Sequence, residues 1–241
     1  MRLQKVVHSE MTEAKERRHA LVALLLLVPI PSLGLMTVLY LLPTTGGRII
    51  FALSKGWLLI MPALWTLWVD REFWRLPTWP RQGIGVGVWT GLAIFFSIVG
   101  GYALLGRHWV DVSHIRQIAE SVGLASPKVY LGAALYWCTV NSVLEEYVWR
   151  WFVYRKCEVL LPMKSAVAAS AIFFTIHHVI ALHAYFDLRI TVLGSLGVFV
   201  GGAIWSTCYL KFRSIWPGWV SHIWADLAVF GVGYHLFFVL A

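Results

Sequence analysis

The chain has 241 residues, of which 59% are hydrophobic and only 13% charged, about half the charged fraction of an ordinary soluble domain. With a mean hydropathy of +0.70, this composition excludes a soluble globular domain and describes a polytopic membrane protein. The formal net charge of +8 does not point to a nucleic-acid partner, because the basic residues of membrane proteins gather in cytoplasmic loops.

Inside a bilayer every backbone N–H and C=O must be bonded within the protein, so apolar runs of membrane length read as helices. The expected class is therefore all-α, a transmembrane helical bundle. Residues 1–19, with Arg2, Lys5, Lys15, Arg17 and Arg18, read as a basic cytoplasmic arm, able to lie helical along the membrane surface. Residues 20–42 form the first span; the run is too long for a signal peptide and no small-residue cleavage site follows it. Pro29 and Pro31 fall inside it and kink or break a helix there. Thr44-Thr45-Gly46-Gly47 is a turn, and residues 49–69 form the second span, with Lys55 placed to snorkel toward one end. A loop over 70–82 carries Arg71, Arg75 and Arg81, and the third span covers 83–105.

The connection over 106–128 repeats Val112, Ile115, Ile118, Ala119 and Val122 at helical spacing, which predicts a short amphipathic helix over 111–122 at the membrane surface. The fourth span lies within 129–154, the fifth over 165–185, the sixth over 190–210 and the seventh over 218–240. In the sixth, Gly194, Gly197, Gly201 and Gly202 allow close helix approach. About seven spans result, or eight if the proline-containing first span is two re-entrant pieces. Three parts follow: the arm 1–19, the N-terminal spans with their connection over 20–128, and a membrane core over 129–241. Fourteen Trp and nine Tyr suit interfacial belts, and Cys138, Cys157 and Cys208 form neither a CxxC pair nor a disulfide framework. With seven spans, thirteen Lys and Arg fall on the side of the N-terminus and five on the other. This bias places the N-terminus in the cytoplasm and the C-terminus outside.

The fourth span reads Asn141-Ser142-Val143-Leu144-Glu145-Glu146-Tyr147-Val148-Trp149-Arg150. Each charge at the centre of a spanning helix costs roughly 2.5–3.5 kcal/mol on insertion scales, so three of them require compensation. Glu146 and Arg150 are one turn apart and can pair, while Glu145 points about 100° away, free to face a cavity. A purely structural Glu–Arg clamp accounts for Glu146 and Arg150 but not for Glu145. The fifth span contains Ser170, Phe173, Phe174, His177 and His178, and the seventh opens with Ser221, His222 and Asp226, the last two again one turn apart. Counted from the cytoplasmic ends at 1.5 Å per residue, Glu145, His177 and His222 lie within roughly 10 Å of one depth. His183 and His235, near span ends or without a charged companion, read as histidines bonded to a neighbouring helix, and His108 and His114 as surface loop residues.

Glu-Glu-x-x-x-Arg, Phe-x-x-x-His and His-x-x-x-Asp, in this order over residues 145–226, resemble the CPBP family of CAAX proteases and bacteriocin-processing enzymes (Abi), which includes the Ras-converting CAAX endopeptidase. The resemblance implies a CAAX-protease-like catalytic core and an intramembrane glutamic endopeptidase. Glu145 resembles the water-activating glutamate, His177 the histidine that positions or deprotonates the water, and His222 with Asp226 the oxyanion pair. Glu146, Arg150 and Phe173 resemble the supporting residues. The doubled Phe173-Phe174 and His177-His178 also allow a register one residue later; His177 is preferred because Ser170 then falls three residues before Phe173. Asp226 stands where many members have Asn.

The chemistry is coherent in its own right. Amide hydrolysis needs a base for water and a donor for the developing oxyanion, which a Glu and an oriented His supply. No His-Glu-x-x-His or Gly-x-Ser-x-Gly occurs, so neither a zincin nor a hydrolase serine is indicated. Zinc on Glu145, His177 and His222, as a His₂Glu site, is the alternative to metal-free catalysis. The implied substrate is a membrane-anchored or prenylated peptide cut near its C-terminus, and the compact length points to a prokaryotic plasma membrane. A non-enzymatic immunity or scaffold protein is the competing reading; a proton-coupled transporter is another, without the internal repeats such proteins show.

Overall fold

The computed structural model describes residues 2–72, 82–121 and 123–240. The predicted Ile118 and Val122 positions of the amphipathic helix, and most of the basic loop with Arg75 and Arg81, lie outside the described side chains. All regular structure among the described residues is helical. In chain order it comprises α1 (Arg2–Leu27), α2 (Pro29–Met36), a π segment (Thr37–Leu41), α3 (Thr45–Trp68), α4 (Ile84–Gly101), a π segment (Tyr102–Gly106), α5 (Arg107–Trp109) and α6 (Val112–Ser121). It continues with α7 (Pro127–Tyr136), a π segment (Trp137–Asn141), α8 (Ser142–Glu146), a π segment (Tyr147–Tyr154), α9 (Arg155–Leu160), α10 (Met163–Tyr185), α11 (Leu188–Phe212), α12 (Trp216–Tyr234) and a last π segment (His235–Val239).

Six described stretches are long and apolar enough to cross a membrane: Glu10–Leu41, Thr45–Trp68, Ile84–Trp109, Met163–Tyr185, Leu188–Phe212 and Trp216–Val239. The seventh long helix, unbroken from Pro127 to Leu160, carries the Glu-Glu-x-x-x-Arg motif. It is less apolar than those six, yet it supplies the centre of the core: Val148, Trp149, Phe152, Val153 and Tyr154 are each at most 3% exposed. The other helices instead turn apolar side chains outward; Trp89 is 74% and Leu53 67% exposed. An apolar surface this extensive would aggregate in water and is what lipid covers. The chain is an integral membrane protein.

The first span is one bent rod. Pro29 and Pro31 lack the N–H that would continue the ladder, but Val28 N still reaches Leu24 O at 2.9 Å, so the chain deflects without breaking. Helix α1 runs from Arg2 straight into that span. Helix α3 begins at Thr45, earlier than the predicted second span. Lys55 consequently sits roughly 15 Å in from the α3 N-terminus, near mid-membrane, and is not the end-snorkelling residue expected from its sequence position.

The amphipathic helix α6 begins at a cap. Asp111 Oδ1 accepts from the Ser113 hydroxyl at 2.6 Å, from Ser113 N at 3.0 Å and from His114 N at 3.1 Å. Chiefly the Ser113 hydroxyl, and with it the His114 amide, holds the exposed Asp111 carboxyl below the usual carboxylate range. Ile115 and Ala119 are buried, and the helix packs on the C-terminal π segment. Glycines allow close helix approach between α4 and α12 as well as at Gly194 and Gly202 of the sixth span. A Cβ on Gly87 would collide with the carbonyl of Pro217, and one on Gly91 would lie 2.6 Å from Trp224 Cδ1. In α11, Gly202 is packed against Phe174 while Gly197 faces open space. The three cysteines are free and buried.

Candidate active site

The motif helix alternates α and π turns, and this irregularity builds the site. A π turn adds a residue per hydrogen-bonded ring and commonly marks a functional position. Here the backbone carbonyls of the π segments also serve neighbouring helices. Thr139 O accepts from Trp219 Nε1 at 3.1 Å, and Trp149 O from the Ser170 hydroxyl at 3.2 Å. These bonds draw α12 and α10 against the two ends of the Glu145–Glu146 turn.

Glu146 and Arg150 are both 0% exposed. Arg150 Nη1 stands 3.5 Å from Glu146 Oε1, as their one-turn spacing predicts. The guanidinium lies over the rings of Phe174, at 4.4 Å, and Trp205, at 5.0 Å. Its Nη2 donates to Gly202 O at 3.5 Å, an approach that a side chain at 202 would crowd. Gly218 likewise admits Glu146: a Cβ there would lie 2.5 Å from Glu146 Oε2.

Glu146 is more than a partner for arginine. His222 Nδ1 stands 3.1 Å from Glu146 Oε1, so the Nδ1–H donates to that carboxylate and the opposite nitrogen is left for the site. His222 Nε2 lies 3.7 Å from Glu145 Oε2 and 3.8 Å from Asp226 Oδ1. The imidazole stacks on Trp205, with centroids 3.8 Å apart and planes 17° from parallel. Trp205 Nε1 is in turn bonded to Ser221 Oγ at 3.1 Å. Glu145 is held from one turn earlier, where Asn141 Nδ2 donates to its Oε1 at 2.8 Å. Its side chain keeps 16% exposure, the access a reacting carboxylate needs.

Glu145, His177 and His178 offer one ligand-type atom each, all within 4.8 Å of one another. His178 thus stands at the pocket together with the preferred His177. Neighbouring residues leave a helix about 100° apart, but two imidazoles are long enough to converge on a carboxylate lying between those directions. Their ring centroids are 4.2 Å apart. His177 is stacked on Trp149 at 5.2 Å, with planes 9° apart. His178 Nδ1 is bonded to Phe174 O at 2.8 Å; a carbonyl only accepts, so Nδ1 carries the proton and Nε2 is free to accept.

Two further sequence readings shift. Phe174, 1% exposed, is the ring that meets His177, His178, His222 and Arg150. Phe173 is only half-buried at the edge of the core, so Phe174 takes the packing part expected of Phe173. Among the described residues the compact His₂Glu group is Glu145, His177 and His178, not the set with His222. Trp149, Trp205 and Asn141 were given no role from sequence. Asn141 and Trp149 stand one turn either side of Glu145, a spacing that could have shown them; Trp205 lies on a helix without a motif and had no signal.

Residues 127–228 match the family model of the type II CAAX prenyl endopeptidases, Rce1-like. This stretch, less than half of the chain, is similar to the CPBP (CAAX protease) family. The matched region holds every site residue named above. No curated protein and no solved structure gives a significant match. The family so matched is one of membrane-embedded peptidases. The segments before residue 127 add spans around the CPBP region: Tyr147 Oη donates to Leu59 O of α3 at 3.2 Å, and the Arg17 guanidinium donates to the Val159 and Leu160 carbonyls, both at 3.3 Å.

Proposed function

We propose that this protein is an endopeptidase of the plasma membrane that cuts a membrane-anchored or prenylated peptide near its C-terminus, using water activated by Glu145 without a metal. The observation that carries the reading is the convergence of Glu145, His177, His178 and His222 from three helices. Glu145 takes a proton from a water held between its carboxylate and the imidazoles of His177 and His178. The water oxygen bonds to the carbonyl carbon of the scissile amide, whose oxygen becomes the oxyanion. His222, in its doubly protonated form, donates Nδ1–H to Glu146 and Nε2–H to that oxyanion, with Asp226 beside it. The C–N bond then breaks, the proton on Glu145 passes to the leaving nitrogen, and a carboxylic acid and an amine remain. Stabilising an oxyanion with one placed donor is worth about 10²–10³ in rate, and a positioned base about 10²–10⁴.

A metal reading has one specific observation in its favour: the donor set of Glu145, His177 and His178 fits a catalytic zinc with three protein ligands. Bound there, zinc would supply a water acidified by the metal. His222 and Asp226 would keep their part at the oxyanion under either reading.

The test is hydrolysis of a farnesylated peptide with a Cys-aliphatic-aliphatic-X tail by the purified full chain, followed by mass spectrometry. Glu145→Gln should abolish cleavage while the protein stays folded, since Gln is nearly isosteric and cannot take the proton. Chelators should leave the rate unchanged. Stoichiometric zinc that disappears in the Glu145, His177 and His178 variants would replace the metal-free mechanism, and full activity of Glu145→Gln would end the assignment.

A further inference from the structure

Among the described residues, Lys55 is a charged side chain near mid-membrane that the chemistry above leaves unused. It lies in the middle of α3 and is exposed. The described structure gives its ammonium only a ring contact, 5.7 Å from the centroid of Phe51. The other charges at this depth have counterparts. Arg150 faces Glu146, Glu145 accepts from Asn141, and Asp226 and Glu145 face His222. A bare ammonium inside a membrane is costly and marks a functional position by default.

Its place is informative. Lys55 is one turn before Leu59, whose carbonyl receives the Tyr147 hydroxyl at 3.2 Å, and Tyr147 is two residues beyond Glu145. From there the ammonium acts electrostatically on Glu145, His177 and His178. The imidazolium of His222 is taken up by Glu146 and the oxyanion, and the other charges of the site would repel an anion or cannot reach one. Glu145, Glu146 and Asp226 are carboxylates, and Arg150 is fully buried and committed to Glu146.

Building on the endopeptidase reading, we infer that Lys55 receives the free α-carboxylate at the C-terminus of the substrate. An exposed cation within electrostatic reach of Glu145, and without a salt bridge among the described residues, gains a close ion pair when an anionic peptide end arrives. The carboxylate then offsets the exposed charge of Lys55 and the cation offsets the desolvation of the peptide terminus. An extended chain advances about 3.3–3.6 Å per residue. Anchoring its end at one point therefore fixes which peptide bond lies over Glu145 and makes cleavage occur a set number of residues from the terminus. Lys55 is on this account a positioning and specificity residue, not a catalytic one.

The experiment compares two forms of the farnesylated peptide, one with a free C-terminal acid and one amidated, on the full chain in lipid nanodiscs. Wild-type protein should prefer the acid at least tenfold in kcat/KM, chiefly through KM. Lys55→Met should bring the acid-to-amide ratio to about one, and Lys55→Arg should keep it well above one. A merely structural lysine would lower both substrates alike and leave the ratio intact. Equal cleavage of acid and amide by wild-type protein, or a preference that survives in Lys55→Met, would overturn the inference while the endopeptidase reading stands. Failure of wild-type protein to cut either peptide would remove both.

Discussion

Replacing Arg150 with Ala should cost the fold about 3–5 kcal/mol. Arg150 is fully buried, so its removal leaves the equally buried Glu146 carboxylate without its cation, and breaking one side of a buried pair costs that amount. The side chain also packs against Phe174 and Trp205 at 4.4 and 5.0 Å, contacts worth about 2 kcal/mol when desolvated. The two effects describe the same guanidinium and overlap, so they are not summed. Against a total stability of about 5–15 kcal/mol the loss is large enough to see as lower folded yield and an earlier thermal transition in detergent. The decisive comparison is a double-mutant cycle with Glu146→Leu. If an uncompensated charge causes the loss, Arg150→Met with Glu146→Leu should be markedly more stable than Arg150→Met alone. The same double variant should stay inactive, because His222 has lost the acceptor of its Nδ1–H. An Arg150→Ala protein as stable as wild type but unable to turn over would refute the reasoning and give Arg150 a direct part in the chemistry.

His178→Ala should lose at least as much turnover as His177→Ala with unfolding temperature little changed, measured on the same peptide; a mild effect would move His178 out of the pocket. Gly218→Ala should cut kcat without preventing folding, since a Cβ lying 2.5 Å from Glu146 Oε2 displaces the carboxylate that orients His222; unchanged kinetics would separate Glu146 from His222. Arg155→Ala should change stability by no more than about 1 kcal/mol, because its pair with Glu72 at 2.8 Å is 34% and 50% exposed. The Asp111 cap should fail on acidification. Its carboxyl is held below its ordinary value, so the contribution to α6 is complete above about pH 4 and is lost as pH falls through the lowered value, readable in hydrogen exchange of the Ile115 amide. Reporter fusions should place the N-terminus in the cytoplasm and the C-terminus outside; a cytoplasmic C-terminus would overturn the odd number of crossings.

The membrane character, the helical class and the three motif clusters were legible in one dimension. Hydropathy depends only on which residues are adjacent, and a lipid environment makes helix the answer for each long apolar run. The pairing of Glu146 with Arg150 was legible for the same reason, because a one-turn spacing on a helix is a local fact. Other features depended on what lies across the bundle. Whether Lys55 sat at an end or in the middle turned on where α3 begins. The choice between Phe173 and Phe174 turned on which side of α10 meets Arg150 and Trp205. His178 joined the site because a carboxylate from another helix lies between two adjacent imidazoles, and His222 was drawn to Glu146 by the approach that Gly218 allows. Helical periodicity predicts the direction in which a side chain leaves its own helix; only packing decides what waits there.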